Sequence, residues 1–193
     1  MPVPQTAMTT GLTGQLLIAM PAMSDRTFAQ TVIFLCAHSA DDGAMGIVVN
    51  RHLPEPGFDD LMSQLEILPA PPRRRIALCA GGPMDGARGF VLHSSDWSGE
   101  GSLSVDDDVV LTASLDVLRE IADGNGPRQA LLALGHATWG PGQLESEIRQ
   151  NVWLSAPADE TILFGVDHDL KWRRALAGLG VDPLQLVADA GHA

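Results

Sequence analysis

TVIFLCAHSADDGAMGIVVN, residues 31–50, is two apolar runs around a polar turn that carries a glycine. Thr31 to Ala37 and Ala44 to Asn50 are rich in β-branched and apolar side chains and have no helical period, so each predicts a buried strand. Asp41, Asp42 and Gly43 supply the turn chemistry that folds two such runs back as a hairpin.

Downstream, Phe58, Leu61, Met62 and Leu65 recur at three- and four-residue intervals, which predicts a helix over Phe58 to Ile67 that lays one face on a sheet. Pro69, Pro71 and Pro72 stop it. Ile76 to Ala80 and Gly89 to His93 predict two more strands, separated by the turn Gly81, Gly82, Pro83. Leu115, Leu118, Ile121 and Ala122 form a second helical stripe, with Ser114 as the expected N-cap and Gly124 at the far end. Gln129 to Ala137 returns as a strand. Pro141 suits the first turn of a third helix whose apolar face carries Leu144 and Ile148, and Glu145 and Arg149 are spaced to pair on its exposed side. A last helix is expected from Asp169 to about Leu179, with Trp172, Leu176 and Leu179 turned inward.

This order lacks the regular βαβ alternation of a doubly wound sheet, so the fold class expected is α+β. No repeat or linker divides the 193 residues, and one domain over 1–193 is expected, its proline-bearing residues 1–13 a loose end. A chain this long buries roughly 70% of its unfolded surface, enough for a core without disulfides or metals.

Twelve Lys and Arg face 24 Asp and Glu, a formal net charge of −12 that repels nucleic acid and anionic lipid. Arg73, Arg74 and Arg75 are the only basic cluster and read as a solvated connector. Cys36 and Cys79 have neither disulfide nor zinc spacing and read as buried thiols of a reducing compartment. The apolar run Leu16 to Met23 is short and broken by Pro21, which supports neither a signal peptide nor a membrane span. A bacterial cytoplasmic location is the expectation.

Polar and aromatic residues concentrate in GHATWGPGQLESEIRQNVWL, Gly135 to Leu154, where a strand hands over to a helix. Loops on a rigid scaffold carry function, and Gln143 and Glu147, four apart, share one helical face. With His136 and Trp139 they could wall a small cleft, or Trp139 could anchor packing while Gln143 satisfies backbone groups. Cys36 and His38 alternate on one strand and would share a face, too few ligands for zinc. His93 beside Ser94 and Ser95 lacks a nucleophile elbow, and Asp106, Asp107 and Asp108 lack the spaced oxygens of a calcium loop. Phosphate-binding glycine motifs are missing, and no cofactor is expected.

These segments resemble the AlgH/YqgE family of small bacterial proteins. The matching pieces are GQLLIAMPAM (14–23), TVIFLCAH (31–38), GAMGIVVN (43–50), GGP (81–83), FVLH (90–93), WGPGQLESEI (139–148) and NVWL (151–154). One departure is Ala137 and Thr138, where an aromatic or small pair is expected before the tryptophan. The resemblance implies an α+β fold in which a mixed sheet curls into a small barrel-like core flanked by helices. It transfers no catalytic residues. Asn50, Gly82, His136, Trp139, Gln143 and Glu147 are its candidate ligand- or partner-binding residues.

Three functional readings follow. The first is a non-enzymatic cytoplasmic regulator or adaptor acting through a protein partner or small ligand. The second is a small hydrolase using His136 and Glu147 as acid and base, which requires the two side chains to converge. The third, direct DNA regulation, is implied by the family's older name and opposed by the chain's charge.

Overall fold

The computed structural model describes residues 11–185. Residues 1–10, most of the expected loose end, lie outside them. From Leu12 the chain is tied down: its amide N–H donates to His38 Nδ1 at 2.8 Å, and its side chain packs against buried Leu17, Leu35 and their neighbours.

The opening hairpin forms as read, β2 (Val32–Ser39) antiparallel to β3 (Gly43–Val48). β1 (Gln15–Ala19) lies beyond β2, and β9 (Trp153–Pro157) beyond β1. On the other side β3 meets β8 (Ala130–Trp139), which also pairs in parallel with β4 (Ala77–Ala80) and antiparallel with β5 (Met84–Ser94). β7 (Val109–Thr112) and β6 (Ser102–Ser104) complete a nine-stranded sheet of order β6-β7-β5-β8-β3-β2-β1-β9, with β4 branching from β8. The fold is α+β, a mixed sheet curled into a half-barrel and flanked by helices.

β8 is the spine of the curl. Its first half pairs with β4 and β5, its last three residues with β3. Gly135 is the joint, at φ 80° and so close to Gly82 that an added Cβ would lie 2.5 Å from the Gly82 carbonyl oxygen. Only glycine meets both conditions without strain. The left-handed residue also breaks the two-residue alternation of a strand. Leu131 and Ala133 belong to the core inside the curl, whereas Ala137 and Trp139 belong to a separate core on the outer face.

Three apolar layers result. The inner one joins Phe34, Ile47, Phe90, Leu92 and Leu131 to α4 (Glu160–Phe164) and α5 (His168–Gly178) through Leu163, Trp172 and Leu176. Trp172 Nε1 donates to the Ala19 carbonyl at 2.8 Å, fixing α5 on the sheet. One outer layer lies under α3 (Gln143–Arg149), the other under α1 (Phe58–Gln64) and α2 (Asp116–Ala122).

Several elements differ from the sequence reading. α1 stops at Gln64 because Glu66 takes a positive φ of 56°, which ends a helix, and Ile67 packs from the loop. Ser114 does not cap α2; Leu115 occupies the cap position and the buried Ser114 hydroxyl has no partner among the described residues. Leu179 lies past the end of α5 and is 39% exposed, so it does not join the buried face. β1, β6, β7, β9 and α4 are additional to those read from the sequence.

Candidate functional site

The Trp139 loop is a hydrogen-bonded clamp. β8 ends at Trp139, Gly140 and Pro141 turn the chain, and Gly142 at φ 74° sets the start of α3. Gln143 bridges the turn, its Oε1 accepting from Gly140 N–H at 3.0 Å and its Nε2 donating to Glu147 Oε1 at 3.1 Å. Glu147 Oε2 accepts from two indoles, Trp139 Nε1 at 2.9 Å and Trp153 Nε1 at 2.8 Å. The indoles meet edge to face with centroids 6.0 Å apart, and Phe28 packs on both. Gln143 and Glu147 do share one face. The carboxylate is nevertheless occupied by the protein's own donors, fastening β8, α3 and β9 together.

His136 is not part of this wall. Beyond the Gly135 joint, Ala137 and Trp139 point to the outer layer, so His136 points the other way, against the edge of Phe90 at 5.7 Å. The expected convergence of His136 with Glu147 does not occur, because the two lie on opposite faces of β8. His136 Nδ1 is buried without a partner among the described residues. Gly82 serves backbone packing: at φ 151°, an added Cβ would lie 2.2 Å from the His136 carbonyl carbon. Asn50 ties the ends of the first hairpin, accepting from Val32 N–H at 2.9 Å and donating to the Gln30 carbonyl at 2.8 Å.

Cys36 and His38 do not share a face. A bulge between Leu35 and Ala37 shifts the register, leaving Cys36 in the inner core and placing His38 opposite Ala44 on the outer side. Burial pushes the Cys36 thiol up to about 12. Because His38 Nδ1 accepts from Leu12, its Nε2 carries the proton and donates to Glu145 Oε1 at 2.6 Å. The expected Glu145–Arg149 pair gives way to this bond. Glu145's own backbone N–H, with help from His38, lowers its carboxyl below the usual range.

The other sequence candidates serve the fold. His93 is fully buried between the Ser94 carbonyl (2.8 Å) and the Thr112 hydroxyl (2.7 Å), and burial lowers its pKa. Asp106 accepts from the N–H groups of Asp108 and Val109, both at 2.8 Å, as a local turn. The three arginines are engaged: Arg73 with Asp123, Arg74 with the carbonyls of Asn125, Pro127 and Arg128, and Arg75 with both oxygens of Asp59. Among the described residues no three His, Cys, Asp or Glu side chains are grouped to hold a metal.

A larger cleft lies elsewhere among the described residues, between the chain leaving β3 and the first turn of α5, with a volume of ≈ 1070 Å³. Asn50, Arg51 and His52 form one wall, and Val166, His168 and Asp169 the other. Asn50 is the one sequence candidate that lines it. Arg51 is fixed by donating to the carbonyls of Arg26 (3.2 Å) and Ala29 (3.0 Å). The His52 and His168 rings stack on each other in the lining, centroids 5.4 Å apart and planes 10° from parallel, and His168 Nδ1 is buried, with the Val49 carbonyl the ring's backbone neighbour. Burial, then the neighbouring Lys171 charge, holds the His168 imidazole below its ordinary range.

Lys171 lies behind His168, 1% exposed, donating to the carbonyls of Val49 at 2.9 Å and Leu163 at 2.8 Å. Burial pulls its ammonium down to about 8. Cys79, also directed at the Val49 carbonyl, is pushed up to about 11 by burial. Sequence reasoning missed His52, His168 and Lys171. The two histidines are 116 positions apart and no spacing rule joins them. An available signal was the basic residue inside an apolar helical stripe, Lys171 next to Trp172.

Comparison with known proteins places these features in a family. The model of the AlgH-like family matches residues 16–184. A UPF0301 protein of Gluconobacter oxydans is 61% identical over 184 residues, covering 95% of this chain and 98% of that protein. One from Rhodospirillum rubrum is 52% identical over 182 residues, covering 94% of each. The solution structure of the AlgH protein from Pseudomonas aeruginosa matches with a TM-score of 0.76 at 42% identity, over 98% of this chain and 100% of that one. A crystal structure from Corynebacterium diphtheriae, 22% identical, shares the fold at a TM-score of 0.68 over 86% of this chain and 85% of its own.

Proposed function

The chain belongs to the AlgH-like family, and from that premise we propose that it is a non-enzymatic cytoplasmic regulator or adaptor, working by holding a small ligand or a protein partner in the His52–His168 cleft. One observation carries this reading: the cleft combines a braced wall, Asn50 and Arg51 tied to backbone, with two stacked imidazoles in its lining. A concave, preorganised surface with a few uncommitted polar groups is what binding sites share. The exposed Val166 at its rim, 87% accessible, adds apolar contact area for a partner. Nucleic acid is disfavoured by the charge of −12 and by the engagement of Arg73, Arg74 and Arg75 within the protein. Two buried, unpaired thiols suit a reducing compartment.

Native mass spectrometry of gently purified, untagged protein tests the proposal. A stoichiometric ligand or partner should be retained, lost in His52→Ala and kept in Thr138→Ala. Thr138 lines a smaller cleft of ≈ 370 Å³ beside the Trp139 loop. Loss in Thr138→Ala with retention in His52→Ala would move the site to that loop and refute the reading.

A further inference from the structure

We propose that the apolar pocket between α1 and α2 is a second binding site, for a small uncharged molecule built on one aromatic or aliphatic ring. It shares no lining residue with the His52–His168 cleft and does not depend on the function proposed for that cleft.

The first support is the chemistry of the lining. Leu61 and Leu65 from the α1 side, Leu115 and Leu118 from the α2 side, and Leu132 and Leu134 of β8 surround a volume of ≈ 220 Å³. Leu118 and Leu132 are buried, whereas Leu115 is 38% exposed and stands at the mouth. An apolar cavity of about 150 Å³ stays dry and takes up benzene, so this one has room for a ring with a short substituent. Arg88 is the one charged residue of the lining among the described residues, and its guanidinium lies 4.9 Å over the Phe90 ring. Phe90 belongs to the inner core and its neighbour Val91 to the layer under α1 and α2, so the Arg88 charge faces away from the pocket. Thr112 spends its hydroxyl on His93 and Ser102. A charged ligand would lose hydration here and find no counter-ion, a cost that an uncharged one avoids.

The second support is Gly89 of β5, which also lines the pocket. Elsewhere in the curl the backbone enforces glycine: an added Cβ would lie 2.3 Å from the Gly135 carbonyl oxygen at Gly81, and 2.5 Å from the Gly82 carbonyl oxygen at Gly135. Gly89 is under no such constraint. Its φ lies outside the left-handed region, and it pairs in register with Leu134, the irregular stretch of β5 falling before it. An added Cβ would meet Leu132 Cδ1 at 3.5 Å, Leu134 Cδ2 at 3.6 Å and the Ala133 carbonyl oxygen at 3.9 Å, all ordinary contacts. The fold therefore has room for a side chain at a strand position that glycine weakens. Such a side chain would fill the pocket, because the two leucines it would touch are pocket walls. A ligand that takes the same space accounts for its being left open.

The experiment follows the leucine and valine methyl resonances of the full chain by NMR while toluene, benzoate or benzylammonium is added. Saturable shifts with toluene at Val91, Leu118, Leu132 and Leu134 are expected, with binding at least about tenfold weaker for either charged probe. Gly89→Ala should hold or raise the thermal midpoint and weaken toluene about fourfold, the value of one buried carbon. Gly89→Val should fill the space and abolish saturation, and Ala113→Leu at the exposed rim supplies the same comparison if the valine variant does not fold. Toluene binding should be unchanged in His52→Ala.

No saturation up to the solubility of toluene in folded protein would overturn the proposal. So would shifts spread evenly over the inner-layer methyls, or equal affinity for the charged probes. A lower midpoint in Gly89→Ala with toluene affinity unchanged would overturn it as well, by showing that the glycine serves the fold and not the pocket. Saturation by a leucine-rich amphipathic peptide, with no response to toluene, would overturn the small-molecule reading in favour of a protein partner.

Discussion

Replacing Glu147 by Ala removes the acceptor shared by two buried indoles. Trp139 and Trp153 are 5% and 2% exposed and donate to one oxygen at 2.9 and 2.8 Å, while Gln143 donates to the other at 3.1 Å. A hydrogen bond to a charged acceptor is worth about 1.5–3 kcal/mol, and a buried donor left empty costs about 1–3 kcal/mol. Two indole donors therefore put the loss at about 3–5 kcal/mol, a large part of the ~5–15 kcal/mol that holds a domain folded. Glu147→Gln should cost less, about 1–2 kcal/mol, because its carbonyl still accepts both indoles. Its new amide N–H then meets the Gln143 amide, donor against donor. Adding Gln143→Glu reverses that clash, since the introduced carboxylate accepts from both Gly140 N–H and the new amide. The pair should therefore recover about 1 kcal/mol relative to Glu147→Gln. Urea unfolding followed by tryptophan fluorescence and circular dichroism measures all three, with unchanged slope as the control for two-state behaviour. Stability of Glu147→Ala within about 0.5 kcal/mol of the parent would refute the clamp, and leave the carboxylate free for chemistry.

Further consequences concern pH and backbone packing. Lys171 is pulled from 10.5 to about 8 in the fold, so between those values the unfolded chain holds the extra proton and stability rises with pH, by about 1 kcal/mol from about pH 8 to 9. Above about pH 9 the unfolded thiols ionise while Cys36 and Cys79, pushed to about 12 and 11, do not, and the trend reverses. Urea unfolding across this range should show the maximum, and Lys171→Met should remove the rise. Gly82→Ala places a methyl 2.2 Å from the His136 carbonyl carbon at a φ of 151° and should cost more than about 2 kcal/mol in the same assay, where a neutral result would mean that β8 can move aside. The His38 ring should show the Nε2–H tautomer by ¹⁵N NMR, and His38→Phe should expose the Leu12 amide to rapid hydrogen exchange. An Nδ1–H tautomer would contradict the latch.

The elements legible in the sequence were those with strong local signals. The hairpin of residues 31–50 combined two apolar runs with turn residues, and it formed. α1, α2, α3 and α5 showed helical stripes, and all four formed with ends shifted by a few residues. β9 is five residues long and owes its pairing to distant β1, which local pattern does not encode, and β7 is only four residues long, paired with β5 and the three-residue β6. The bulge at Cys36 inserts one residue into the alternation and turns His38 away from Cys36, whereas His136 and Trp139, three apart on β8, fall on opposite faces by alternation alone, which takes His136 away from Glu147.

The candidate site divides the same way. The WGPGQLESE segment holds its polar residues together because they are close in sequence, and the proximity that makes the motif conspicuous also lets its members satisfy one another. Asn50 is likewise committed to backbone. His52 and His168 arrive at the larger cleft, with Lys171 behind them, from distant parts of the chain through the packing of α5 on β1 and β2. No local pattern announces that meeting.

The central claim is that binding takes place at the His52–His168 cleft and that the Trp139 loop is structural. Backbone hydrogen exchange, comparing the protein alone with the protein in the presence of whatever it retains on gentle isolation, tests it most directly. The account predicts slowed exchange over residues 50–54 and 166–172, with 138–147 unchanged. Protection confined to 138–147 would contradict it.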